Sequence, residues 1–306
     1  MRVAIIGRTE ILYDTVELLR AAGYTITCIL TAKEAPEYTK TAADFECLAA
    51  ALQVPFVNSA RIESQATMLR ESKADLAVSI NYSGVIPESI TRLFPLGILN
   101  AHGGDLPRYR GNACQAWAIL NGEEEIGLCI HRMVGGELDS GDIIARDYLL
   151  INHATKITKV WEWMNERVPS LFLEAVNQLS KQPSYILDTQ SKKAIDALRC
   201  YPRKPEDGRI DWRQSALQIL RLINASNKPY AGAFCDYEGH LLIIWDAELV
   251  TEFENLCAVP GQVTLIGDGF VEIACGEGKL RVLSVEYEGS LGSPDVWIKS
   301  IRKRLN

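Results

Sequence analysis

Residues 97–142 read GILNAHGGDLPRYRGNACQAWAILNGEEEIGLCIHRMVGGELDSGD. An apolar run (Leu96, Ile98, Leu99) stops at Asn100-Ala101-His102. A Gly- and Pro-bearing loop follows, and a second apolar strand, Ile126 to Met133, leads into Leu138-Asp139-Ser140-Gly141-Asp142. Asn100 and His102 therefore end a predicted strand, where alternate side chains share one face. The ends of parallel strands are where open α/β sheets place ligand chemistry. Asn supplies a neutral hydrogen-bond donor, His a base that titrates near neutrality, and Asp an anion able to orient an imidazole. Together they suit proton removal with stabilisation of an oxyanion at a carbonyl.

The flanks agree. Arg2 to Ile6 reads as a short strand ending at Gly7, Ile11, Val16, Leu18 and Leu19 recur at helical spacing, and Thr25 to Leu30 is a second strand. Strand, helix, strand is the start of a doubly wound α/β sheet. Only one glycine stands in the first turn, so the dinucleotide fingerprint is missing and a nicotinamide-dependent reading loses its main support. Leu76 to Ile80 is apolar throughout, as a central parallel strand buried on both faces should be. It opens into Asn81-Tyr82-Ser83-Gly84-Val85-Ile86-Pro87, with Pro87 suited to the start of a helix. A long helix is predicted from Ile157 to Leu179. The mixed charges Lys33, Glu34, Glu37, Lys40 and Asp44 read as a solvated loop, and His131 and His153 as structural or surface histidines.

Periodicity breaks over Ile186 to Pro205. Beyond it lie a helical pattern (Ala216, Ile219, Leu220, Ile223) and short β-like runs at Leu241–Trp245, Gln262–Ile266, Phe270–Ala274 and Leu280–Tyr287, which predict a small barrel or open sheet. The expected organisation is a catalytic domain over 1–185, a linker over 186–204 and a smaller β-rich domain over 205–306. A short terminal helix is expected to carry Lys299 and Arg302 to Arg304.

With 306 residues, 47% apolar and 23% charged, the chain has the composition of a globular protein of one or two domains. No apolar run approaches the roughly 18 residues of a spanning helix, and the short run before Gly7 is no signal peptide. A cytoplasmic enzyme with no membrane association is expected. The eight cysteines are dispersed with no Cys-x-x-Cys, as reduced thiols would be, and no metal is expected.

Asn100-x-His102, Leu106-Pro107-x-Tyr109-Arg110-Gly111, Trp117-Ala118-Ile119 with Asn121-Gly122-Glu123, and Leu138-Asp139-x-Gly141-Asp142 resemble, in order, the core of the 10-formyltetrahydrofolate-dependent formyltransferases. The resemblance implies a Rossmann-like catalytic domain, an OB-like C-terminal domain, and 10-formyltetrahydrofolate as formyl donor. It implies His102 as base or proton shuttle, Asn100 as donor to the oxyanion, and Asp139 as the residue that tunes His102. It places the folate against Tyr82, Gly84, Val85 and Ile86, against Val134, Gly135, Gly136, Glu137 and Leu138, and near Asn112. Two positions depart from the family pattern. Gly104-Asp105 precedes Leu106-Pro107 where many relatives have Ser-Leu, and Asn112 stands where sugar-modifying relatives often carry Arg. Arg108 and Arg110 are candidate anion contacts.

For the acceptor, charge arbitrates. The chain's formal net charge is −7, and from Tyr201 onward 12 Lys and Arg face 15 Asp and Glu. Gripping tRNA calls for several phosphate contacts. The segments Arg203 to Trp212 and Pro229-Tyr230-x-Gly232-Ala233-Phe234 also look like the sugar-modifying branch. The expected acceptor is accordingly the amine of a nucleotide-linked amino-deoxysugar used for surface polysaccharide, with no nucleic-acid partner and a possible homodimer. Methionyl-tRNA formyltransferase and a non-catalytic folate-binding or regulatory protein are the alternatives.

Overall fold

In a computed structural model, every residue is described except 36, 37, 253, 254 and 256. Glu37 of the predicted solvated loop lies outside the described residues. The chain forms two compact units: residues 1–111, 126–149 and 162–200 make the first, and 112–125, 150–161 and 201–306 the second.

The first unit is built on β1 (Arg2–Gly7), β2 (Thr25–Thr31), β3 (Phe56–Asn58), β4 (Leu76–Ile80), β5 (Ile98–His102), β7 (Glu125–Arg132) and β8 (Ile143–Leu150), with the short β6 (Tyr109–Gly111) outside the main sheet. The order is β3-β2-β1-β4-β5-β7-β8. From β3 to β5 all neighbours run parallel, and β7 pairs antiparallel with β5. This is the predicted mostly parallel α/β sheet. Every residue of β4 is buried, so its apolar run is what two-sided burial requires.

Helix α1 (Glu10–Ala21) begins at Thr9, whose side chain accepts from the Leu12 amide, and buries Ile11, Leu12, Val16 and Leu19 against the sheet core. Helices α2 (Ala42–Leu52), α3 (Ala66–Glu71) and α4 (Glu88–Thr91) follow, with Pro87 capping α4. Helix α5 (Cys114–Asn121) begins the second unit, and α6 (Ile157–Lys181) contributes Val168, Leu171, Phe172, Ala175, Val176 and Leu179 to the sheet core. Strand β6 pairs with β9 (Leu198–Cys200) in parallel.

The second unit contains α7 (Ala216–Ala225) and an antiparallel sheet of β10 (Ala233–Tyr237), β11 (His240–Leu249), β12 (Val263–Ile266), β13 (Val271–Ala274), β14 (Lys279–Tyr287) and β15 (Ser290–Gly292). The order is β10-β11-β14-β13-β12, with β15 on β14. Helix α7 opens on a capping box between Ser215 and Gln218 and buries Ile219, Leu220 and Ile223 beside Trp212. The expected terminal helix does not form. Lys303 and Gly261 carbonyls accept from the Val263 and Leu305 amides at 3.2 and 2.9 Å, and Leu305 is buried. Pairing with the β12 region takes the backbone groups that a last helical turn would need.

Candidate active site

Strand β5 delivers Asn100 and His102, two residues apart and therefore on one face of the sheet. The antiparallel register sets His131 of β7 directly opposite Asn100. Asp139 arrives from the loop 134–142, held at a left-handed φ of 46°. Gln190 fixes that loop by donating from Nε2 to the carbonyls of Asp139 and Gly141, at 2.9 and 2.5 Å. Arg110 in turn donates to Gln190 Oε1 at 2.8 Å, so its guanidinium braces the loop.

His102 is 7% exposed, and its Nε2 lies 2.6 Å from the carbonyl oxygen of Tyr109. A carbonyl only accepts, so Nε2 carries the hydrogen and Nδ1 is the basic atom. Nδ1 stands 3.5 Å from Asp139 Oδ2, which also accepts from the Gly111 amide at 3.0 Å. The β6 segment thus supplies both the carbonyl that sets the tautomer and the amide that holds the carboxylate.

Burial lowers the His102 pKa from its ordinary 6.5, with Asp139 opposing the shift. Burial also pushes Asp139 upward, but the attraction of His102 and the hydrogen bond from the Gly111 amide override it and hold the carboxyl at about 2. The pair therefore rests as a neutral imidazole beside a carboxylate. The His102 imidazole is expected to stay neutral through neutrality and to take up a proton only below its ordinary 6.5. The same sign governs stability: the unfolded chain binds this proton more readily, so the contribution is complete above 6.5 and is lost as pH falls toward the lowered value. An NMR titration of the His102 ring in the free protein checks this, and protonation at or above about 7 would contradict it.

The two stretches expected to meet the folate come together. The Gly136 amide donates to the Ile86 carbonyl at 3.3 Å, and Gly135 packs so closely that an added Cβ would lie 2.3 Å from the backbone nitrogen of Glu88. Ile86 is buried, whereas Val85, Val134 and Leu138 expose 77, 39 and 44% of their surface. These apolar side chains beside open backbone suit a flat heterocycle. Glu137 Oε2 accepts from the Ser140 hydroxyl at 2.5 Å, and the Tyr82 hydroxyl donates to the Ser59 carbonyl at 2.9 Å. Gly84 packs beside the Tyr82 ring. Asn112 is the first residue of the second unit.

Asp105 turns to Arg146, 3.8 Å away, and accepts from the Tyr148 hydroxyl at 3.1 Å, so it does not join the trio. Arg108 stacks on the Tyr109 ring. His153 is exposed. His131, by contrast, is 1% exposed and touches both Asn100 and Asp139. The sequence signal for it is one histidine in the apolar run Ile126 to Met133; only the strand register reveals its neighbours. Among the described residues no group of three His, Cys, Asp or Glu side chains could hold a metal ion, and no helix is long and apolar enough to cross a membrane.

The formyl transferase family model matches residues 1–176, and the model of the formyl transferase C-terminal domain matches residues 203–299. Curated relatives 29 to 31% identical are methionyl-tRNA formyltransferases. That of Caldanaerobacter subterraneus subsp. tengcongensis is 29% identical over 95% of this chain and 93% of its own. Among solved structures, the N-formyltransferase of Helicobacter canadensis, in complex with folinic acid and dTDP-3-aminofucose, shares the fold with TM-score 0.69 at 15% identity, over 92% of this chain and 98% of that one. HypX from Aquifex aeolicus gives TM-score 0.61 at 19% identity over 98% of this chain; the chain spans 49% of that protein's length.

These relatives overturn the expected sugar acceptor, since the sugar-modifying proteins are likenesses of fold at 15 to 18% identity. The charge balance misled because it sums over every face. In the second unit Glu272 is already neutralised by Lys279 and Arg281, at 2.8 and 2.7 Å, and Glu248 faces Arg281 at 3.2 Å. Arg203, Arg209 and Lys228 instead lie over the rings of Trp117, Phe234 and Trp245. Among the described residues none of the three has a carboxylate within the 4.0 Å of an ion pair. Net charge alone therefore does not exclude a nucleic-acid partner.

Proposed function

The chain belongs to the formyltransferase family, and from that premise we propose that it transfers the formyl group of 10-formyltetrahydrofolate to the amine of methionine carried on tRNA. The observation that carries the acceptor is the run of methionyl-tRNA formyltransferases aligned along both units, in one case over 95% of the chain. The folate is held by Tyr82 to Ile86 and Val134 to Leu138, with backbone groups toward its ring. When bound, it supplies an acyl carbon open to attack by an amine.

His102 takes the amine proton at Nδ1, Asp139 stabilises the imidazolium that results, and His102 returns the proton to the N10 nitrogen of tetrahydrofolate as the bond from that nitrogen to the formyl carbon breaks. Asn100 uses one amide hydrogen on His131 and turns the other to the acyl oxygen as negative charge develops there. Arg203, Lys204, Arg209 and Lys228 contact phosphates of the acceptor. Arg203 and Lys204 also line a cavity of about 130 Å³ with Tyr230, and burial lowers the Arg203 pKa, a desolvated cation that an anion would complement. Both substrates place the reaction in the cytoplasm.

The test is formyl transfer to charged initiator tRNA at physiological salt. Formylmethionyl-tRNA is the expected product, with kcat/KM falling steeply as salt rises, because each neutralised phosphate releases counterions. Failure to formylate the tRNA, with ready transfer to another amine, would overturn the acceptor.

A further inference from the structure

His131 sits at the back of the trio and touches two of its members. Its Nε2 lies 3.3 Å from Asn100 Nδ2 and 3.5 Å from Asp139 Oδ1, while its Nδ1 lies 3.2 Å from the Arg132 carbonyl oxygen. That last contact ties the ring edge to its own strand. The ring stands edge-on to His102, with centroids 6.2 Å apart and planes at 86°. The two carboxylate oxygens of Asp139 are thereby divided: Oδ2 faces His102 and the Gly111 amide, and Oδ1 faces His131. Among the described residues His131 is the side chain that meets the Asn100 amide.

A freely turning amide would present carbonyl and NH₂ to the substrate equally, and only the NH₂ stabilises an oxyanion. We infer that His131 is a positioning residue for this reaction: with its Nδ1 hydrogen directed at the Arg132 carbonyl, its Nε2 accepts from the Asn100 amide and fixes that amide in its working orientation, without touching substrate. The inference rests on Asn100, His102 and Asp139 being the groups that carry the chemistry.

A packing role and a positioning role predict opposite orders for two substitutions. His131→Leu fills the buried volume with apolar atoms but makes no hydrogen bond, whereas His131→Gln places an amide near the position of Nε2. The positioning role predicts that His131→Leu lowers kcat about 30-fold, the scale of misplacing a reacting group by a fraction of an ångström. The KM values for folate and acceptor should stay within about twofold, and His131→Gln should recover kcat to within about threefold of the parent. In an Asn100→Ala background, His131→Leu should cost only about threefold more, because much of its effect passes through the residue already removed.

Equal kcat in the His131→Leu and His131→Gln variants, or a full additional loss in the Asn100→Ala background, would overturn the inference. An Asn100→Ala variant as active as the parent would overturn the assignment of the trio instead. The two failures are therefore separable.

Discussion

His102→Ala is expected to lower kcat by at least about 100-fold, and Asp139→Asn to do the same, since general-base assistance is typically worth ~10² to 10⁴ in rate. The two substitutions fail for different reasons. Alanine removes Nδ1, the only basic atom of an imidazole whose other nitrogen is committed to the Tyr109 carbonyl. Asparagine keeps the shape of residue 139 and an acceptor for the Gly111 amide, but removes the charge that stabilises protonated His102. Neither should unfold the chain. Losing the Nε2 donor leaves one carbonyl unpaired, a cost of about 1–3 kcal/mol. Turnover at saturating folate and acceptor, measured beside thermal melts, decides the matter. A folded His102→Ala protein with turnover within about threefold of the parent would remove His102 from the reaction.

Gly141→Ala is expected to damage both stability and rate. A Cβ at this position would lie 1.7 Å from the Arg132 carbonyl oxygen and 3.2 Å from Val134 Cγ2. The backbone cannot yield easily, because the Arg132 amide donates to the neighbouring Asp142 carbonyl at 2.9 Å and Gln190 clamps the Gly141 carbonyl. Relief must come from moving the loop that carries Asp139. A loss of about 3 kcal/mol is expected, as for other steric insertions into a packed site. A fall in kcat of about 50-fold or more should accompany it, because the carboxylate loses its place beside His102. Gly136→Ala is the control. Its φ of 78° disfavours a side chain, but an added Cβ would meet nothing within 4 Å, so the cost should stay near ~1 kcal/mol. Denaturant unfolding and steady-state rates on the two variants test the ranking. Equal behaviour would show that the contact at Gly141 does not hold the loop.

The parallel sheet was legible because burial on both faces leaves an uninterrupted apolar run, as in Leu76 to Ile80, and because helices such as Glu10–Ala21 carry their own caps and stripes. Asn100 and His102 stand out for a related reason: two polar residues end an otherwise apolar strand. What escaped depends on partners distant in sequence. Strand β8, IIARDYLL, interrupts its apolar character with Arg146 and Asp147, which find partners in Asp188 and Arg167, so it lacks the signature of a buried strand. His131 became meaningful only through the register that sets it against Asn100. The terminal Lys299 to Arg304 segment had charges suited to a helix, but its backbone is taken by pairing around Gly261 and Gln262. Residue totals could not say which cations are spent on carboxylates and which rest on aromatic rings.

The chain passes from one unit to the other at residues 111, 125, 149, 161 and 200. During synthesis, α5 leaves the ribosome roughly one hundred residues ahead of α7, the helix against which it packs. Until then Cys114, Ala116, Ala118 and Ile119, all buried in the finished protein, lack the cover that α7 gives the helix. A nascent chain arrested near residue 200 would thus contain every strand of the first sheet and still present an unsatisfied helix inserted between two of them, β5 and β7. Such a fragment is a natural client for a chaperone and a poor candidate for expression as an isolated domain. Gene truncations that aim to separate the units therefore need to replace residues 112–125 and 150–161 with short linkers, rather than stop the chain where its first sheet ends.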